Sequence, residues 1–335
     1  MATVQIADIY NPLTFSRREQ EAQIQLNNFI QSGIVVSDQR LSAQATQGGN
    51  IGELPFFNPL GTEEPNYSTD NPATESTPAK VSSSKMVFRL AAQNKSWSTM
   101  DLARELALED PAGAIINRQA QYWATNNEKR VIQSAMGVLA DNVANDGGDM
   151  LNSVATDDAG AVTAAELISS GVIIDAEATA GDHQGMFTTI AMHSVVYSNL
   201  RKQQLIEFVR DADNNTMFAT YGGKRVVVDD ALPAVAGTNR ITYTSVLFSG
   251  GAFVSGEGRV LVPSEIDRLP STGNGSGQDI IYSRRSDIIH PLGFTFTSSS
   301  VAGQSATQAE LATAANWDRV WDRKNIGISF IQTNG

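Results

Sequence analysis

The longest regular pattern of apolar positions is a helical one, which begins near Ala112 and continues to about Ala144 without a proline. At about 1.5 Å of rise per residue, this pattern predicts a helix roughly 50 Å long. The apolar stripe includes Tyr122 and Trp123 in the first half and moves to a rotated face after Asn126. We therefore expect a long helix that either bends near its middle or packs against different neighbours along its length.

The N-terminal third is dominated by turn-forming residues. A short helical pattern ends near Gly33, a residue type that commonly terminates helices. Residues 46–80 carry repeated glycine and proline in a polar, acidic context that cannot form a compact core of its own. Apolar residues at Phe56 and Phe57, and again over 87–90, are typical of two strand-like arms that need a partner surface. The composition alone leaves a disordered linker equally open.

The second half alternates short strands with short helices, so the fold class predicted for the chain is α+β. The pattern predicts a buried strand over Phe187–Met192, then a helix over Val195–Ile206 and a hydrophobic strand over Ile241–Phe248. A further short strand is predicted at Val260–Val262. Before the long helix, Ser98 or Thr99 is a candidate N-cap for another short helix. After it, Thr163–Glu166 has the spacing of a capping box at a helix start.

Composition removes several classes of function. The 335-residue chain contains no cysteine, which excludes thiolate catalysis, zinc–thiolate sites, iron–sulfur clusters and disulfide stapling. Its 24 basic and 36 acidic residues give a net charge of −12, the wrong sign for a protein whose main work is binding phosphates. No signal peptide and no apolar stretch of transmembrane length is found in the sequence. We expect a protein that is made and used in an aqueous, cytosol-like compartment, without membrane contact.

Enzymatic motifs are incomplete wherever they begin. Gly222–Lys224 lacks both the upstream glycine and the Ser/Thr of a phosphate-binding loop, so a hairpin turn is the better interpretation. Asp229 and Asp230 are adjacent on a predicted strand and therefore point to opposite faces, which argues against a catalytic pair. The histidines share no metal-ligand spacing and are His183, His193 and His290. We expect no catalytic site, no metal site and no cofactor.

Four segments, in this order, resemble segments of phage coat proteins. They are Met192–Lys202, Tyr221–Pro233 with its G-x-x-V-x-V-D-D pattern, Tyr243–Phe253, and His290–Phe296 with its H-P-x-G-F pattern. Together with the long helix and the loop-rich N-terminal third, they make the chain similar to the major capsid proteins of tailed double-stranded DNA bacteriophages. The resemblance covers most of the chain from about residue 47 onwards. The fold that it implies is the one named after bacteriophage Hong Kong 97.

This resemblance implies a division of the chain into four parts. They are an N-terminal arm (1–46), an extended β-hairpin loop (47–97), a peripheral domain with the long spine helix (98–150 and 282–303), and an axial domain with C-terminal elements (151–281 and 304–335). The loop at 46–80 then has a role, since its strand arms would lie on a neighbouring subunit and add to its sheet. Some family members carry a long N-terminal scaffolding segment, which this chain lacks; we expect a separate scaffolding protein or a processed product.

The implied function is structural. Many copies of the chain would assemble through hexamers and pentamers into an icosahedral capsid around phage DNA, in the cytoplasm of a bacterial host. Scaffolding, portal and decoration proteins are further candidate partners, and packaged DNA would be contacted weakly and without sequence specificity. Alternatives are the shell of a bacterial nanocompartment of the same fold, a phage tail or baseplate protein, and, last, a hydrolase with a deep pocket.

Six residues are candidates for contacts between subunits. They are Phe56, Phe57, Arg284, Arg285, Trp317 and Trp321. For the aromatic residues an ordinary core position is at least as good an interpretation, and for the arginines a solvated strand end is equally good.

Overall fold

The fold was determined from a computed structural model that describes residues 28–58, 64–102, 111–203, 206–210 and 216–335. The α-helices are α1 (Asn28–Gln31), α2 (Gln39–Thr46), α3 (Pro111–Asn145), α4 (Ser170–Ala178), α5 (Ser194–Lys202) and α6 (Gln308–Leu311). The first nine strands are β1 (Val35–Ser37), β2 (Ile51–Phe57), β3 (Ser83–Arg89), β4 (Ala91–Met100), β5 (Leu151–Ser153), β6 (Phe187–Met192), β7 (Glu207–Arg210), β8 (Thr216–Tyr221) and β9 (Lys224–Val228). The others are β10 (Ala234–Ala236), β11 (Ile241–Ser249), β12 (Phe253–Glu257), β13 (Ser264–Leu269), β14 (Gln278–Pro291), β15 (Phe294–Phe296), β16 (Trp317–Arg319) and β17 (Ile328–Thr333).

The long helix is confirmed as α3, which is continuous over 35 residues. It begins at a proline, a residue that is well tolerated at the first helical position because its missing N–H has no partner there anyway. It ends where Gly147 and Gly148 adopt positive φ angles of 69° and 73°. The sequence left two alternatives for this helix, a bend near its middle or different neighbours along its length, and the structure supports the second. Trp123 lies near β14, whereas Gly137 lies against β16.

The first sheet is built around β14, the longest strand described. β4 pairs with β14 along one edge, β12 and β13 pair with it in succession along the other, and β1 adds to β12 in parallel. The N-cap predicted at Ser98 is wrong, because Ser98 pairs with Ile280 within the β4–β14 ladder. Ten consecutive registered pairs in that ladder outweigh the capping tendency of one serine.

The second sheet contains eight strands in the order β5-β17-β11-β6-β9-β8-β7, with β10 paired to β11. The strand predicted at Phe187–Met192 is confirmed as β6, which pairs with both β11 and β9. The helix predicted over Val195–Ile206 is shorter than expected and ends at Lys202. The strand predicted at Val260–Val262 is absent: these residues form part of the connection from β12 to β13.

Apolar side chains form three clusters. The largest joins the second half of α3 to the inner faces of both sheets, with Phe248, Phe294 and Phe330 at its centre. A second cluster lies under α4 and α5, on the other face of the eight-stranded sheet. A third, smaller cluster lies between α2, the β2–β3 pair and β14. This third cluster positions the β2–β3 pair on the subunit.

Candidate subunit-contact surfaces

The strand arms predicted from the sequence are confirmed as an antiparallel hairpin. β2 and β3 pair in register from Ile51 opposite Arg89 to Phe57 opposite Ser83. Beyond the hairpin, residues 64–82 are exposed throughout and contain no helix or strand. The chain therefore projects a two-stranded ribbon that carries a long polar loop away from the core.

The hairpin is anchored at its base by buried apolar side chains. Leu54, Met86 and Phe88 are all buried in the third cluster, and Met86 Sδ accepts a hydrogen bond from the Gly293 backbone N–H at 3.3 Å. A side chain at Gly52 would collide with the Phe88 ring, so glycine is required where the hairpin crosses that ring. The direction of the ribbon is consequently fixed by its own subunit.

A groove lies beside the end of β2. Phe56 meets Trp321 edge to face, with ring centroids 5.9 Å apart. Phe57 is 79% exposed and forms part of the same wall. The groove has a volume of about 610 Å³, and its remaining lining residues are Asn58, Val320, Asp322 and Asn325. The structure thus brings together three of the six candidate contact residues.

The two candidate arginines lie elsewhere, on β14. Arg284 pairs with Glu265 at 2.8 Å and lies 5.5 Å from the centroid of the Tyr282 ring. Arg285 lies over Trp123, with its guanidinium carbon 5.2 Å from the ring centroid. Both guanidinium groups therefore have partners within their own chain, and both residues lie in the interior of β14 and not at a solvated strand end.

Trp317 is a core residue of its own subunit. It is 3% exposed, and its indole N–H donates to the Leu311 carbonyl at 2.7 Å. Its ring meets Phe296 edge to face at 4.8 Å. A side chain at Gly137 on α3 would collide with both the Leu311 carbonyl and the Trp317 ring. At Gly137, α3 packs directly against the C-terminal elements.

The motifs examined for catalysis have structural roles. Gly222 and Gly223 form a two-residue turn between β8 and β9, with φ angles of 53° and 76° that suit a type I′ hairpin. Asp229 accepts a hydrogen bond from the Ala231 backbone N–H, whereas Asp230 accepts one from the Ser194 N–H. Both residues follow the end of β9 at Val228 instead of lying on the strand, and their carboxylates cap different segments.

No metal-binding or membrane-spanning arrangement is found in the described part of the chain. Within the ranges given above, no three His, Asp or Glu side chains cluster so as to hold a metal ion. No helix among these residues is both long and apolar enough to cross a bilayer.

A buried ion pair, which was not predicted from the sequence, joins two segments that are far apart along the chain. Glu166 forms the predicted capping box with Thr163, and it also pairs with Arg240 at 2.6 Å. The Thr163 backbone N–H, the Thr156 hydroxyl and Arg240 together lower the pKa of Glu166 to about 2. Asp157 accepts backbone N–H groups at 238–240, and these bonds lower its pKa as well. The capping box was visible in the sequence, but nothing there indicated a partner more than seventy residues away.

Solved phage capsids share this fold. The capsid of Ralstonia phage GP4 superposes with a TM-score of 0.59 at 12% identity, over 91% of this chain and 88% of that chain. The capsid of cyanophage Pam1 gives a TM-score of 0.53 at 12% identity, over 88% of both chains. The subunit therefore has the Hong Kong 97-like fold of these capsid subunits, as the resemblance implied.

Sequence comparison establishes the family. The major capsid protein of Bacillus phage SPP1 is 36% identical over 334 residues, which span 98% of this chain and 97% of that protein. The family model described as Major capsid protein 13-like matches residues 112–326. The chain belongs to this family of major capsid proteins. It is a structural protein of the virion that associates with copies of itself to form the capsid, and it is not an enzyme.

Proposed function

We propose that the chain builds an icosahedral capsid from hexamers and pentamers, around double-stranded phage DNA and in the cytoplasm of the host bacterium. The observation that carries the proposal is the β2–β3 ribbon, whose base is buried in its own subunit while its tip and loop are exposed. An isolated two-stranded ribbon is marginally stable in water. A neighbouring subunit that covers this ribbon supplies the missing partner surface.

The division of the chain into parts follows the same proposal. Residues 1–46 form the N-terminal arm and 47–97 the extended loop, while α3 is the spine of the peripheral domain (98–150 and 282–303). The axial domain comprises 151–281 and the C-terminal elements 304–335. Strand pairing supports one change to this division. β12 and β13 hydrogen-bond to β14, so we assign residues 253–269 to the peripheral domain together with the sheet built around β14.

Among the candidate contact residues, Phe57 is proposed to lie at a subunit interface. Its side chain is apolar, sits at the end of the ribbon and is the most exposed aromatic residue described. Large apolar side chains in such positions commonly mark interaction sites. Scaffolding, portal and decoration proteins complete the set of proposed partners, and DNA is proposed to be contacted weakly, without sequence specificity.

The proposal is tested by negative-stain electron microscopy of the purified protein, expressed alone and with the genes that flank its own. We expect closed shells or capsomer rings in at least one condition. Phe57→Ser should leave the subunit folded and reduce the yield of particles, because only an exposed side chain changes. Val235→Ser, at a residue 60% exposed on β10, is the matched control and should assemble normally. Monodisperse monomers under every condition would contradict the proposal.

A further inference from the structure

The groove between the end of β2 and the 320–325 segment is an apolar surface that its own chain leaves open. Its walls are aromatic, with Phe56 and Trp321 half-buried and Phe57 exposed. A volume of about 610 Å³ lies in the range of sites that enclose ligand or peptide side chains. An unfilled groove of this kind calls for an occupant of apolar character.

A matching projection exists on the connection between β12 and β13. Leu261 is 89% exposed, the highest value among the large apolar residues described, and Val262 beside it is also exposed. The connection is held in place: the Arg284 backbone N–H donates to the Pro263 carbonyl at 2.8 Å, and its guanidinium donates to the Val262 carbonyl at 3.3 Å. Leu261 is therefore presented on a fixed support.

The charges that flank the two features are complementary. Arg259 lies two residues before Leu261, is exposed, and forms no ion pair with the other described residues. Asp322 lines the groove next to Trp321 and is exposed as well. An apolar centre with opposite charges at its edge favours a specific register between the two surfaces.

Within one subunit the projection and the groove are held far apart. The projection is tied to the middle of β14 at Arg284. The groove wall is tied beyond the C-terminal end of β14, because the Val320 and Trp321 N–H groups donate to the Gly293 carbonyl at 2.9 and 3.2 Å. Arg284 lies seven extended residues before Pro291, the last residue of β14, which corresponds to about 24 Å. Two complementary patches that differ and cannot meet within one copy make a head-to-tail contact between copies.

We propose that the Arg259–Val262 projection of one subunit inserts Leu261 into the Phe56–Phe57–Trp321 groove of a second copy, with Arg259 placed beside Asp322. The inference rests on the proposed function, since it assumes that the chain assembles. It deepens that function by naming both halves of one contact. Each subunit offers the projection to one neighbour and the groove to another, so the contact propagates from copy to copy.

The absence of cysteine from the chain permits a direct test by disulfide trapping in assembled particles. The double variant Leu261→Cys/Asn325→Cys should give a ladder of linked subunits on non-reducing gels after mild oxidation. Each single variant should remain monomeric, and a mixture of the two single variants should stop at dimers. Leu261→Cys/Val235→Cys is the matched control and should give no ladder, because Val235 lies on the eight-stranded sheet away from the groove.

A second measurement does not depend on disulfide geometry. Leu261→Ser should weaken association about tenfold or more, since the contact loses most of a buried leucine side chain, while circular dichroism of the subunit stays unchanged. Val235→Ser should match the wild type. Intact particles that show no ladder, together with normal assembly of Leu261→Ser, would overturn this contact and leave the capsid function standing. A wild-type chain that never assembles would overturn both.

Discussion

His290 is the residue at which the hairpin, β14 and the C-terminal elements meet. Its ring is buried between Phe88 and Trp317, with centroid distances of 6.4 and 5.9 Å, and its Nε2 bonds the Phe294 carbonyl at 2.8 Å. A carbonyl only accepts, so Nε2 carries the proton. Burial lowers the pKa of His290 to about 4. The imidazole is therefore neutral at neutral pH, and protonating it opposes folding.

A pH dependence of subunit stability follows from His290. The unfolded chain takes up a proton on this residue near pH 6.5, whereas the folded chain does so only near pH 4. Stability is therefore complete above about pH 6.5 and is lost as the pH falls towards 4. Between pH 7.5 and 5 we expect a loss of about 2 kcal/mol in the free energy of unfolding of the unassembled subunit, measured by urea denaturation.

The variants that check this assignment are both histidine replacements. His290→Gln should be less stable at pH 7.5 but should lose much of the slope between pH 7.5 and 5. His183→Gln, at an exposed histidine, should keep the wild-type slope. The same slope in His290→Gln and in the wild type would assign the pH dependence to other groups.

Among the elements, α3 depends on a single glycine for its packing. Gly137 lets the helix approach the Leu311 carbonyl and the Trp317 indole more closely than any side chain permits. Glycine within a helix costs about 1 kcal/mol relative to alanine. At this position the close approach outweighs that cost, because it seats α3 against the buried Trp317 ring, whose indole N–H donates to the Leu311 carbonyl.

The prediction for α3 is a contrast between two glycine-to-alanine changes. Gly137→Ala should destabilise the subunit by about 2 kcal/mol or more, since overpacking at a rigid contact exceeds the gain in helix propensity. Gly171→Ala, in the first turn of α4 where a Cβ makes only an ordinary 3.9 Å contact with the Ser169 hydroxyl, should be neutral or stabilising by up to about 1 kcal/mol. Thermal or urea unfolding of the two variants measures the contrast, and equal effects would refute it.

The elements also show why the sequence predicted some features and not others. α3 and the β2–β3 hairpin were predictable because the helical period and the two apolar arms are local signals. The N-cap prediction at Ser98 was wrong because Ser98 pairs with β14, a strand that follows almost two hundred residues later in the sequence. The segment at Val260–Val262 has the composition of a strand, yet its leucine faces solvent. The groove joins Phe56 to Trp321, and no sequence pattern indicates that pairing.

On the scale of the whole molecule, net charge bears on the proposed weak contact with packaged DNA. The net charge of −12 opposes the counterion release on which tight DNA binding depends. A shell protein that bound its contents tightly would hinder both filling and release. The acidic balance instead favours solubility and weak contact.

The corresponding prediction concerns the unassembled subunit and double-stranded DNA. At about 0.15 M salt we expect no retardation of DNA by micromolar protein in a gel-shift assay, and no steep rise in affinity when the salt is lowered to about 0.05 M. A basic DNA-binding domain in parallel lanes serves as the control. Tight binding with a steep salt dependence would show that a basic surface outweighs the net charge.

The position of β17 in the eight-stranded sheet has a consequence for the biosynthesis of the subunit. β17 lies between β5 and β11, so the sheet stays divided until residues 328–333 have been synthesised. At typical rates of translation, the ribosome reaches them on the order of 10 s after it has completed β6. A nascent chain therefore lacks the finished sheet while most of its other strands already exist. A chain that stops before residue 328 lacks the strand that joins β5 to β11, and we expect it to be unable to assemble.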